Sequence, residues 1–167
     1  EFRDDPETVR LFDEAGGQVT PVSENTWNVK FEPGMIRDIL KSAPEKFTQH
    51  ARNPANSVEI GGDAMVFAPS YGSPFVMEMG EDRRYGTLSD FENFVKLAQS
   101  SPWLHHSGGT ICEPTDIPVN KRHLDMVYAH MRYSDRAYLG SITAPERVVD
   151  SIEMSRILFG REFVENN

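Results

Sequence analysis

The chain holds one cysteine, Cys112, among its 167 residues. A lone thiol closes no intramolecular disulfide and builds no multi-thiolate metal site, which fits a reducing cytoplasm. Long apolar runs are missing too. The longest is Ala64–Ala68, far short of the roughly 20 residues that cross a bilayer, and no charged-then-apolar leader precedes it. A soluble chain without a membrane partner is expected. Positive charge is scarce: 17 Lys plus Arg stand against 26 Asp plus Glu, a formal net charge of −9. No basic run exceeds Arg83-Arg84 or Lys121-Arg122, so the electrostatic footprint of a nucleic-acid binder is absent. The paired glycines Gly61-Gly62 and Gly108-Gly109 match neither phosphate-cradling motif, which leaves nucleotide binding unsupported.

What is there suffices for a packed core, with 38% hydrophobic and 10% aromatic residues over a length that suits one ordinary domain. The first segment predicts a helix from Asp5-Pro6-Glu7 to Gly16-Gly17 and a hairpin through Val19–Val22 and Trp27–Phe31. A second helix follows, with Met35, Ile36, Ile39, Leu40 and Ala43 on one face and Pro44 at its end. From Phe47 to Thr87 short extended runs alternate with Pro and Gly breaks. Beyond Thr87 the pattern becomes regular. A capping box at Ser89–Glu92 opens a helix, His106–Cys112 reads as a strand, and Leu124–Met131 as a helix. Ala137–Ile142 reads as a second strand, and a capping box at Thr143–Glu146 opens a helix that ends at Gly160. Strand, helix, strand, helix at this spacing is the pattern of parallel βα units. Two such units close no barrel and build no doubly wound sheet, so the regular part is unfinished. A start at Glu1-Phe2-Arg3 without Met and an end at Asn166-Asn167 are what a cut through a longer protein would leave.

Candidate chemistry is sparse. His123 and His130 lie seven apart on a predicted helix and lack the four-residue spacing that puts two imidazoles on one metal, so packing or surface roles are expected and no metal site. His105 and His106 are strand neighbours that point to opposite faces, so at most one faces an interior. Glu113 and Asp116 follow the first strand, where parallel βα folds gather ligands, in a loop stiffened by Pro114 and Pro118. Asp116 also suits a helix cap. Cys112 at a strand end is expected to be a buried, inert thiol. Tyr71, Phe75, Tyr85 and Trp103 either form a cage for an ammonium by cation–π attraction or fill a seam between subdomains.

Three runs carry a resemblance: Phe47–Pro54 (FTQHARNP), Gly61–Met77 (GGDAMVFAPSYGSPFVM) and Asp82–Asp90 (DRRYGTLSD). They are supported by Ile111–Pro118 (ICEPTDIP) and the opening Glu1–Glu7. In this order, over nearly the whole chain, they resemble the trimethylamine methyltransferase family, the corrinoid-dependent enzymes acting on methylated amines. The resemblance implies an α/β fold: an N-terminal α+β region over residues 1–87, followed over 88–167 by the first βα units of a TIM-type (β/α)₈ barrel. It implies transfer of a methyl group from a tertiary or quaternary amine, of trimethylamine or glycine betaine type, to the cobalt of a separate corrinoid (cobalamin-type) protein. No cofactor would then be bound by this chain directly. Some members carry pyrrolysine at a position that belongs to later strands. Residues at the C-terminal ends of the two strands would face the barrel mouth: Ile111, Glu113 and Pro114 after the first, Ser141 and Thr143 after the second. Glu113, His106 and Ser141 are the candidate substrate-binding residues, with Glu113 set against the cationic nitrogen; no catalytic residue is assigned. A homo-oligomer is compatible with all of this. So, at this point, is a non-enzymatic module that binds a small betaine-like cation.

Overall fold

The computed structural model describes residues 1–167. They form two compact units, Glu1–Glu45 and Lys46–Asn167, so the change of texture near Thr87 falls inside the second.

The first unit is a small helix-and-sheet assembly. Strand β1 (Phe2–Arg3) pairs with β3 (Thr26–Lys30), which pairs with β2 (Gln18–Ser23), all antiparallel. The two-residue turn of the hairpin puts Asn25 at φ 58°, a left-handed conformation that asparagine tolerates better than most residues. Helix α1 (Pro6–Glu14) starts because the Asp5 carboxylate accepts the Thr8 N–H at 3.0 Å and Pro6 fits the first turn. It ends at Glu14 with Ala15 as its cap; Gly16 turns left-handed at φ 97°, and the Gly17 N–H then bonds the Phe12 carbonyl at 2.8 Å, so close that a Cβ on Gly17 would lie 2.8 Å from the same oxygen. Phe12 packs between Phe2 and Phe31, with ring centroids 5.4 and 4.9 Å away, contacts worth about 0.5–1.5 kcal/mol each beyond the area they bury. Helix α2 (Pro33–Leu40) ends before the predicted Ala43, and single-turn bonds from Ser42 to Ile39 and from Ala43 to Leu40 finish the run.

In the second unit β4 (Lys46–Gln49) pairs antiparallel with β5 (Val58–Gly61), and β6 (Phe75–Val76) with β7 (Arg84–Tyr85). Four helices follow: α3 (Leu88–Ser100), α4 (Arg122–Tyr133), α5 (Pro145–Phe159) and the short α6 (Arg161–Asn166), each packed on the next. The core lies where α3 and α4 meet the loops, around Val76, Phe91, Val95, Cys112, Met126 and Ala129. The fold is therefore mixed helix and strand.

Three expectations about this unit need correction. The capping box of α3 sits two residues earlier than Ser89–Glu92. Thr87 is extended, its hydroxyl accepts the Asp90 N–H, and the Asp90 carboxylate accepts the Thr87 N–H at 2.9 Å; Ser89 is already helical. No box opens α5, because Ala144 occupies the cap and Thr143 accepts a bond from Arg147 instead, leaving Pro145 to set the first turn. The segments 106–112 and 137–142 form no ladder. They run side by side with two parallel-sense bonds, Ser107 N–H to Ala137 O at 2.8 Å and Leu139 N–H to Gly108 O at 2.9 Å. Gly108, at φ +95°, then bends the first segment out of register. Cys112 makes a single parallel bridge to Ser73.

Candidate functional site

The loop after segment 106–112 and the loop after segment 137–142 meet over the N-terminal half of α4. Between them lies a cavity of about 170 Å³, lined by Glu113, Arg122, His123, Ser141, Thr143 and Arg147, with Val119 and Met126 as its apolar wall. Of the residues expected at a barrel mouth, Glu113, Ser141 and Thr143 are thus brought together.

Glu113 is held rather than free. Its Oε2 accepts a bond from Arg122 Nη1 at 2.9 Å, while Arg122 Nε and Nη2 donate to the Ile117 carbonyl at 3.3 and 3.0 Å. The guanidinium so stitches the proline-bounded loop to the first turn of α4. Glu113 remains 36% exposed and Arg122 is only 16% exposed, so the pair is anchored at its basic end. Asp116 serves another element: it accepts the Leu88 N–H at 2.9 Å and helps start α3. His123 is buried, with its Nε2 2.7 Å from Asp150 Oδ2 on α5, and its Nδ1 meets no hydrogen-bond partner. The sequence marks neither Arg122 nor Arg147, and it gives His123 only a packing or surface role. The visible signs were weak: Arg122 lies in a two-residue basic run, and Arg147 stands four residues after Thr143, one helical turn.

His106 is not among the residues that line this cavity. It is buried, its Nδ1 accepts the Gly108 N–H at 2.8 Å and its Nε2 lies 3.1 Å from Gln49 Oε1. The backbone bond fixes the tautomer, so Nε2 donates to Gln49. Burial holds its pKa below the usual imidazole value. Its neighbour His105 is exposed and accepts the Phe67 N–H, as alternation along an extended segment requires. A second buried histidine shares the region. His130 Nδ1 is 2.7 Å from Ser107 Oγ and its Nε2 2.9 Å from the Gly109 carbonyl, and burial pushes its pKa down to about 4. No sequence motif announced the Ser107–His130 pair.

The remaining expectations resolve simply. Cys112 is 1% exposed and its thiol is pushed up to about 11, by burial first and by neighbouring carboxylates second. That makes it an inert core thiol at neutral pH. The four aromatics do not form one cage. Phe75 packs on Tyr85 at 4.8 Å, and the Arg83 guanidinium already covers the Phe75 face at 4.4 Å. Trp103 is 80% exposed beside Phe67 and His105. No helix is long and apolar enough to cross a membrane.

The family described as trimethylamine methyltransferase matches residues 1–167. The glycine betaine methyltransferase of Desulfitobacterium hafniense (strain Y51) is 54% identical over 125 residues, which are 75% of this chain and 26% of that relative. The chain therefore spans about a quarter of that relative's length. Since the match runs from the first residue to the last and the relative shares more than half of the aligned positions, the chain belongs to the trimethylamine methyltransferase family.

Proposed function

We propose that the chain is part of an enzyme that moves a methyl group from a tertiary or quaternary methylated amine, of trimethylamine or glycine betaine type, to the cobalt of a separate corrinoid protein. The observation that carries this reading is the 54% identity to a glycine betaine methyltransferase. In the reaction the nitrogen–methyl bond breaks, its electron pair stays on nitrogen, and the methyl carbon bonds to the two-electron donor Co(I). The corrinoid belongs to the partner protein, and no residue of this chain is assigned to it. What the chain contributes is orientation of a small cation and control of charge around it. Glu113 suits that role, since Oε2 is fixed by Arg122 and Oε1 is left for a cationic group.

Residues 106–112 and 137–142, parallel in sense and each followed by a helix, support a barrel-type architecture in which further βα units complete the ring. In it the 113–119 and 141–147 loops lie at the C-terminal ends of neighbouring strand positions, the end that carries the chemistry in barrels of this kind. The test is methylation of a corrinoid protein reduced to Co(I), followed by the cobalt absorption spectrum, with the intact protein and with trimethylamine, dimethylglycine and glycine betaine in turn. Methylation with at least one amine is expected, and none with any of them overturns the reading. A free-standing cation module is less favoured, because the four rings form no common cage and Arg83 occupies the Phe75 face.

A further inference from the structure

The loop that carries Glu113 is held more firmly than its exposure suggests. The Glu113 N–H donates to the Ser73 carbonyl at 2.9 Å, the Thr115 N–H and hydroxyl both donate to the Gly86 carbonyl at 2.9 and 3.1 Å, and the Asp116 carboxylate accepts the Leu88 N–H at 2.9 Å. Cys112 and Pro114, on either side of Glu113, are buried. Surface loops usually keep fewer ties to the scaffold. Here the runs Asp82–Asp90 and Ile111–Pro118 interlock, with Gly86 at the crossing.

Gly86 is buried, and its N–H donates to the Pro74 carbonyl at 3.1 Å. A Cβ at this position would lie 3.0 Å from the Glu113 carbonyl oxygen and 3.3 Å from Cys112 Sγ. The Glu113 backbone can approach this closely only because residue 86 has no side chain. The turn beyond it is stiff as well: Arg84 donates to both Asp90 oxygens, at 2.6 and 2.8 Å, and Asp90 accepts the Thr87 hydroxyl at 2.7 Å.

We propose that Gly86 and Thr115 are positioning residues for Glu113, holding its carboxylate in one fixed place to receive the cationic nitrogen of the methylated amine. The proposal rests on the methyl-transfer reading for the identity of the cation. Position matters here because Glu113 is not a lone charge. Arg122 holds Oε2 at 2.9 Å, and the attraction of such a pair for a cation falls off faster with distance than that of a single carboxylate. A cation gains only where Oε1 is nearer than the guanidinium, so even a small shift of the Glu113 backbone, such as a Cβ on Gly86 would force, changes the balance. A quaternary nitrogen also has no N–H to direct a hydrogen bond, which leaves the approach for the protein to fix. Ordering Glu113 beforehand removes that cost from binding.

The test is ligand-observed NMR titration of the intact protein with tetramethylammonium chloride and with tert-butanol, a neutral molecule of similar shape, at fixed pH and ionic strength. The native protein should bind the cation about 10-fold or more tightly than the alcohol, and Glu113→Gln should abolish that preference. Gly86→Ala should cut the preference about 3- to 5-fold, leave alcohol binding within about 2-fold, and change nothing further in the Glu113→Gln background. Should Gly86→Ala not fold, Thr115→Val, which removes one bond and no charge, reports in its place with a loss of about 2-fold. A merely structural role would weaken both ligands alike or add to the effect of Glu113→Gln. Either result overturns the proposal, as does a native protein with no preference for the cation. Because no turnover is measured, the outcome is separate from the corrinoid methylation assay, in which the methyl-transfer reading stands or falls.

Discussion

Helix α4 carries two histidines seven residues apart, and the protein treats its two ends differently. His130, 1% exposed, has both ring nitrogens bonded, stacks on Tyr138 at 5.9 Å and meets the edge of Phe91 at 5.3 Å. His123, 3% exposed, has one nitrogen on Asp150 and the other unpartnered beside a charged cavity. Burial alone therefore does not separate scaffold from site. Completeness of hydrogen bonding does: at one end both ring nitrogens tie α4 to the 106–112 segment, and at the other one nitrogen has no partner.

The largest test of this contrast is truncation. His130→Ala removes two buried hydrogen bonds, leaves Ser107 Oγ unpaired and the Gly109 carbonyl with the Ile111 N–H alone, and empties a ring-sized space. Unfolding in urea should show a loss of about 3–4 kcal/mol. His123→Ala also empties a ring-sized space, but it removes only one bond, to a half-exposed carboxylate, together with an atom that was unsatisfied, and should cost about 2 kcal/mol. Equal losses would break the contrast.

Acid sharpens the same point. The folded pKa of His130, about 4, lies below the ordinary value of 6.5 because burial disfavours the charged ring. As pH falls the unfolded chain binds the proton first. The stabilising effect is thus fully present above pH ~6.5 and is lost progressively down to pH ~4, by up to about 3 kcal/mol. His106, lowered by burial as well, adds a loss of the same sign. Urea midpoints measured between pH 7 and 4 should converge for native protein and His130→Ala as the pH falls. Parallel curves would show that His130 is not buried neutral.

Next in size is Ser107→Ala, which removes the hydroxyl donor to His130 Nδ1 and orphans a buried acceptor. A loss of about 1–2 kcal/mol is expected, with m unchanged. In His130→Ala the same substitution should cost much less, since the two side chains act as a pair.

Sequence periodicity revealed the helices because α3 and α4 each bury one stripe, and the hairpin because β2 and β3 alternate. It misplaced the strands 106–112 and 137–142, because an apolar run flanked by glycine looks the same whether or not a neighbour completes the ladder. The runs that carry the family resemblance turn out to be mostly scaffold. Gln49 holds His106 and the Tyr138 carbonyl, Arg52 donates to the Met131 carbonyl, and Asn53 bonds Asp135, while Arg84 and Thr87 meet on Asp90. Glu113 and Ser141 were legible as residues after strands. Arg147 and the site position of His123 were not, because both follow from how α4 and the start of α5 pack around the 113–119 loop, and packing between elements leaves no mark on a linear pattern.

The smallest expected effect falls at the far side of the cavity wall. Asp150 is 45% exposed, and an amide oxygen can still accept the His123 Nε2 proton, so Asp150→Asn should change stability by no more than about 0.5 kcal/mol. Since the bond survives and the carboxylate is half in solvent, the effect should be smaller than the loss of any bond at the His130 end, and urea unfolding checks it; a loss of about 2 kcal/mol or more would show that the charge of Asp150, and not its oxygen alone, holds His123 in place.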